Sequence, residues 1–190
     1  KPWGLTYFRN RLPYEKSSLF ARDGYPAKRP WFTFGNSQIQ ELLGSAADRY
    51  PYPLKAVFFH RHNHLMSVPA AHKLTDILKN PEHIPLFVAS DIIVSETSAC
   101  ADFILPDLSY LERWGYEGMY PHYDQKVAHF GQPVTRILEG AQAYEDTLIA
   151  IAKKMNWPGV GKNAFSDGSS LDRSQDFYLK MAANIAFDGE

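Results

Sequence analysis

The chain has 190 residues, 45% hydrophobic and 14% aromatic, enough apolar surface for one sizeable core. Its 20 basic and 21 acidic residues leave a net charge of -1, which removes the electrostatic case for nucleic-acid binding. A single cysteine, Cys100, excludes an intrachain disulfide and any iron–sulfur centre built by this chain alone. No apolar run approaches the roughly 20 residues a membrane helix needs. The start "KPWGLTYFRN" has neither an initiator Met nor a signal-peptide apolar region, so the chain is expected to be a piece of something longer.

Residues 1–35 are rich in proline and aromatics without a sustained period of 2 or 3.6, which predicts an extended, ordered segment. Trp3, Tyr7, Phe8, Tyr14, Phe20, Tyr25, Trp31, Phe32 and Phe34 are costly to leave in water, so this segment should pack on a larger body. From Asn36 the pattern becomes regular. "NSQIQELLGSAADRY" predicts an amphipathic helix stopped by Pro51, "LKAVFFH" a buried strand, and "PAAHKLTDILKN" a helix over 70–80. "IPLFVAS" predicts a second buried strand, adjacent and parallel to the first. "ETSACADFILP" adds a turn and a strand ending at Pro106, and "AQAYEDTLIAIAKKMNW" a later helix. The expectation is an α/β domain over 36–157, a three-layer sandwich with a mainly parallel sheet. A C-terminal turn and a helix starting near Ser174 complete the chain over 158–190.

Ligands of open α/β sheets collect at the carboxyl ends of strands, and two features lie there: "HRHNH" after the first strand and Asp91 after the second. His60, His62 and His64 would share a face, and could ligate zinc or copper, only if the strand continued. Asn63 and Pro69 instead indicate that the chain leaves the strand near His60, which favours histidines as polar loop groups over a metal site. Cys100, in the apolar turn "TSACADF", reads as a small packed hydrophobe. Asp102 and Glu112 read as structural, Asp102 capping or pairing and Glu112 a solvated or bridging charge beside Arg113. Asp107 and Glu112 as an acid–base pair carry little weight.

The stretch "YPLKAVFFHRHNHLMSVPAAHKLTDILKN…IPLFVASDIIVSETSACADFILPDLSYLERWG" resembles the molybdopterin oxidoreductases of the dimethyl sulfoxide reductase family. The resemblance rests on a strand entering an Asn-Pro loop, a helix, a second strand ending in Asp, a Thr-rich turn and an Ala-Asp-x-x-Leu-Pro strand. These fall on Asn63, Asp91, Ser95, Thr97, Ala101, Asp102, Leu105, Pro106 and Glu112, with His64 where the family usually has Pro. It covers roughly Tyr50 to Trp157. Counterparts of the family's iron–sulfur region, molybdenum-ligand segment and C-terminal barrel are not found.

The resemblance implies a bis(molybdopterin guanine dinucleotide) cofactor with molybdenum in the full protein, and no catalytic or metal-ligating residue in this stretch. Asp91 would accept from the guanine N1–H and amino group together, while Asn63, Ser95 and Thr97 would sit at the phosphates and neighbouring loop. Ser95, Thr97 and Asn63 can equally cap turns. The implied partners are the rest of the catalytic subunit, an iron–sulfur electron-transfer subunit, plus a membrane anchor subunit, and the implied location is periplasmic or membrane-associated. The C-terminal tail and "YPHYDQKVAHFGQP" are similar to the branch handling sulfur oxyanions such as tetrathionate or thiosulfate. A stand-alone α/β protein binding a nucleotide at the same strand ends, and the same family acting on arsenate or sulfite, stay open.

Overall fold

The computed structural model describes residues 13–30, 39–119 and 128–186. The chain divides into two compact units whose boundary falls between Leu105 and Pro106.

In the first unit, the described part of the aromatic segment is less extended than its composition implies. A 3-10 turn at Tyr14–Lys16 leads into α1 (Ser18–Asp23). The reason is local capping: the Ser17 hydroxyl accepts the Phe20 N–H at 3.1 Å, and Gly24 closes the helix at φ 65° while donating its N–H to Phe20 O. Tyr14, Phe20 and Tyr25 then meet edge to face, with centroids 5.4, 5.7 and 5.3 Å apart. Residues 1–12 and 31–35 of that segment lie outside the described residues.

A 3-10 turn at Ile39–Glu41 runs into α2 (Leu42–Ala47), whose Leu43 and Ala46, three positions apart, form its buried stripe. Strand β1 (Val57–His60) buries Val57 and Phe59 and leaves Phe58 37% exposed, the alternation of a strand covered on one face. The chain leaves β1 at His60, turns through Arg61 at φ 51°, and forms the single-turn helix α3 (His64–Ser67).

The crossover expected as one helix over 70–80 is segmented, a correction to that reading. Ala70 adopts left-handed backbone at φ 55°, which ends helical continuation. A 3-10 turn at Ala71–Lys73 and α4 (Thr75–Leu78) follow it.

Strand β2 (Phe87–Asp91) is buried from Phe87 to Ser90, as a central strand should be. It pairs parallel to β1 in the register Val57↔Phe87, Phe58↔Val88, Phe59↔Ala89 and His60↔Ser90. Strand β3 (Phe103–Pro106) completes a sheet of order β1-β2-β3, so the α/β class with a parallel sheet is present. Asp102 fastens the start of β3 to β2 twice: its N–H donates to Phe87 O at 2.9 Å, and its Oδ2 accepts the Phe87 N–H at 2.7 Å. The structural role expected of this carboxylate is therefore specific.

Leu43, Ala46, Leu78 and Ile84 pack with Val57, Phe59 and Phe87, placing α2 and α4 on one face of the sheet. Phe59 and Phe87 meet edge on at 5.2 Å. Burying side chains of this size contributes about 1.5–3 kcal/mol each, which holds β1 and β2 in register and their ends together.

The second unit contains a hairpin the sequence pattern does not announce, β4 (Gly115–Met119) antiparallel to β5 (Ala128–Gly131). Helix α5 (Tyr144–Lys154) carries Glu145 and Asp146 in its first turn and Lys153 and Lys154 in its last, matching the helix dipole. Helix α6 (Ser174–Ala186) begins where expected, and Asp146 Oδ1 accepts its Ser174 N–H at 2.5 Å. Glu112 is not a solvated charge. It is 4% exposed and accepts the N–H groups of Ile137, Leu138 and Ser109 at 2.6, 3.1 and 3.2 Å. Those amides hold its carboxyl down to about 2.

Candidate functional site at the parallel strand ends

Because β1 and β2 are parallel and in register at His60↔Ser90, the loops that follow them leave the same end of the sheet. The first loop carries His62, Asn63 and His64, the second Asp91 to Thr97. All four residues singled out from sequence lie here, and the structure joins two of them directly.

Thr97 is fully buried. Its Oγ1–H donates to Asn63 Oδ1 at 2.8 Å and its oxygen accepts the Leu65 N–H at 2.9 Å. The hydroxyl is thus spent on bracing Asn63. Asn63 Nδ2 donates to Glu96 Oε2 at 2.6 Å, and Asn63 O accepts the Ser67 hydroxyl at 2.7 Å. The amide beside Glu96 holds that carboxyl below its ordinary value. Asn63 is fixed on both ends of its side chain, and its second Nδ2–H has no partner among the described residues.

Ser95 is engaged locally. Its Oγ accepts the Ser98 N–H at 3.2 Å while Ser98 Oγ accepts the Ser95 N–H at 2.7 Å, a reciprocal pair of bonds across the turn that leads into the 3-10 helix Ser98–Cys100. Asp91 differs. Its Oδ1 accepts the neighbouring Ile92 N–H at 2.8 Å, and among the described residues its Oδ2 has no hydrogen-bond partner. Directly after it, Ile92, Ile93 and Val94 are 48%, 71% and 67% exposed, an apolar ledge beside an available carboxylate. A carboxylate oxygen pair with lone pairs to spare, next to an apolar surface, suits a flat heterocycle that offers two adjacent donors.

Among the described residues no group of three His, Cys, Asp or Glu is arranged to hold a metal ion. His64 is wholly buried against Phe59, with ring centroids 5.7 Å apart, and its Nδ1 stands 3.1 Å from His62 Nε2. Burial first, and His62 second, push its ring below the ordinary histidine value. Cys100 packs partly on the core, its thiol 3.4 Å from Glu96 O.

Sequence reasoning missed Glu96 and Ser98. The Ser-x-x-Ser spacing of Ser95 and Ser98 is a turn signal that could have been found. Glu96 had none, because its partner Asn63 lies 33 positions away.

A family model described as molybdopterin oxidoreductase matches residues 26–139. A selenate reductase subunit from Mesobacillus selenatarsenatis is 40% identical over 97% of this chain and 18% of its own length. A tetrathionate reductase subunit from Salmonella typhimurium is 38% identical over 100% of this chain and 20% of its own. The chain therefore spans about a fifth of the length of these curated relatives. A solved structure, acetylene hydratase from Pelobacter acetylenicus, is similar at 23% identity and a TM-score of 0.49, over 63% of this chain and 16% of that one.

Proposed function

The chain belongs to the molybdopterin oxidoreductase family, and from that premise we propose that its β1 and β2 strand ends hold the guanine nucleotide of a molybdopterin guanine dinucleotide. Membership implies a molybdopterin cofactor with molybdenum, which when bound supplies the electron- and atom-transfer chemistry. This chain's residues supply binding. The observation that carries the proposal is the available Oδ2 of Asp91 beside the exposed Ile92–Val94 ledge. The Asp91 carboxylate accepts from the guanine N1–H and amino group, and the ledge covers one face of the base and excludes water. Asn63 presents its remaining N–H, Thr97 acts through Asn63, and Ser95 shapes the turn that brings backbone amides toward the phosphates.

The parent protein, in this reading, reduces a sulfur or selenium oxyanion, since the two relatives are named for tetrathionate and selenate. It works on the periplasmic side with the rest of the catalytic subunit, an iron–sulfur electron-transfer subunit, plus a membrane anchor subunit. No helix among the described residues is itself long and apolar enough to cross a membrane.

Calorimetric titration of the chain with guanosine and adenosine diphosphates tests the nucleotide reading. Guanosine diphosphate should bind more tightly, and Asp91→Asn, which turns one acceptor into a donor, should weaken it about a hundredfold, the value of roughly 3 kcal/mol of charged hydrogen bonding. Equal affinity for the two nucleotides, or an unaffected Asp91→Asn variant, would remove Asp91 from the site.

A further inference from the structure

Asn63 lies between two imidazoles that touch each other. His62 Nε2 and His64 Nδ1 are 3.1 Å apart, a distance at which one nitrogen must carry hydrogen and the other a lone pair. His64 is fully buried, its ring tilted against Phe59, and its Nε2 has no hydrogen-bond partner among the described residues. His62, edge on to both Phe59 and His64, is partly exposed.

We propose that His62 and His64 form a proton-dependent positioning pair that holds Asn63 in its site, and releases it when both rings are protonated. This rests on the strand-end reading above and deepens it by adding a control on the same loop.

The proton count sets the behaviour. With both rings neutral, one N–H···N bond closes the pair. A single added proton leaves one ring cationic and donating to the lone pair of the other, and the contact tightens. A second proton makes both rings cationic. It places N–H against N–H and two positive charges at contact distance, with one of them buried. The pair therefore titrates in two coupled steps, and only the second drives the rings apart.

Asn63 is bonded covalently into the bridge between the rings, and His64 opens α3. Separation of the rings shifts the Asn63 side chain away from Thr97 and Glu96. The other ionisable groups on the elements meeting here are His60 and Arg61 at the end of β1, Asp91 at the end of β2, and Glu96 on the Asn63 amide. The Asn63 amide holds the Glu96 carboxyl below its ordinary value.

The test is a pH titration of the chain labelled with nitrogen-15, following the four imidazole nitrogens of His62 and His64 together with the Asn63 side-chain amide. The expected result is two separated ring titrations, with the Asn63 amide moving on the second alone. Guanosine diphosphate affinity should fall about tenfold across that step, the equivalent of one pKa unit of linkage. His64→Phe, which keeps a ring against Phe59, should flatten the pH dependence of both the Asn63 amide and the affinity. Independent ring titrations with ordinary values, or an Asn63 amide unmoved through the second step, would overturn the proposal without need of any variant. An Asn63 amide that follows the second step in a chain that binds no guanosine diphosphate would uphold the pair and remove the nucleotide reading instead.

Discussion

Thr97 Oγ1 lies 2.8 Å from Asn63 Oδ1, and this buried hydroxyl also accepts the Leu65 N–H, so one side chain from the loop after β2 fixes the loop after β1. Replacing it with an isostere that lacks the hydroxyl removes the partner of a carbonyl and an amide at a fully buried side chain. Thr97→Val should cost about 1–3 kcal/mol in urea denaturation and weaken guanosine diphosphate binding, while Thr97→Ser should stay near wild type in both. A Thr97→Val variant of unchanged stability would mean that water replaces the hydroxyl.

Glu112 gives the second unit a pH dependence of defined sign. Its folded carboxyl, held at about 2, lies below the ordinary 4.5, so its contribution is fully present above 4.5 and is lost as pH falls toward 2. Glu112→Gln keeps one acceptor but turns an amide donor toward a cluster of N–H donors. The variant should be less stable at neutral pH, and its melting temperature should change less than that of wild type between about pH 5 and pH 2. Parallel melting curves for the two across that range would show that the three amide contacts are weak in solution.

The two faces of the sheet should respond differently to truncation. Phe87 is 1% exposed and lies edge on to Phe59 in the core, whereas Phe58 is 37% exposed on the opposite face of β1. Phe87→Ala should cost about 3–5 kcal/mol, the usual range for a buried ring. Phe58→Ala should cost well under half of that in the isolated chain. Comparable losses in chemical denaturation would show that the second face is covered.

Asp102 accepts the N–H of Phe87 at the start of β2, so Asp102→Ala should remove about 1 kcal/mol. It should also speed amide exchange at Phe87 more than at Ala89. Uniform acceleration along β2 would point to global loosening instead.

The two paired strands were legible because runs such as "VFF" and "LFVAS" are short, apolar and rich in β-branched or aromatic residues, and their spacing leaves room for a crossover; that β1 is covered on one face alone, with Phe58 37% exposed, was not legible from the run. Helices α5 and α6 were legible from the spacing of their apolar residues. The crossover was not. Its composition suits a helix, but the left-handed backbone at Ala70 is set by where the chain must travel between β1 and β2, which no local pattern encodes. The β4–β5 hairpin was hidden because Gly115, Gly118 and Gly131 dilute the alternation that marks a strand. At the site, Asp91 and Asn63 could be placed at strand ends from sequence. The consumption of the Thr97 hydroxyl and the joining of His62 to His64 depend on burial and register, and so became visible only in three dimensions.

The parallel pairing of β1 and β2 also fixes an order of events on the ribosome. An antiparallel hairpin can zip as it emerges, but these strands must wait for the whole crossover to be made. Asn63 and Thr97 are 34 positions apart, so the loop that carries Asn63 emerges from the exit tunnel before its brace does. Until then β1 offers unpaired backbone and aromatic side chains to chaperones and proteases. A nascent chain released before Thr97 would hold every histidine of the first loop and no closed strand end to place them on.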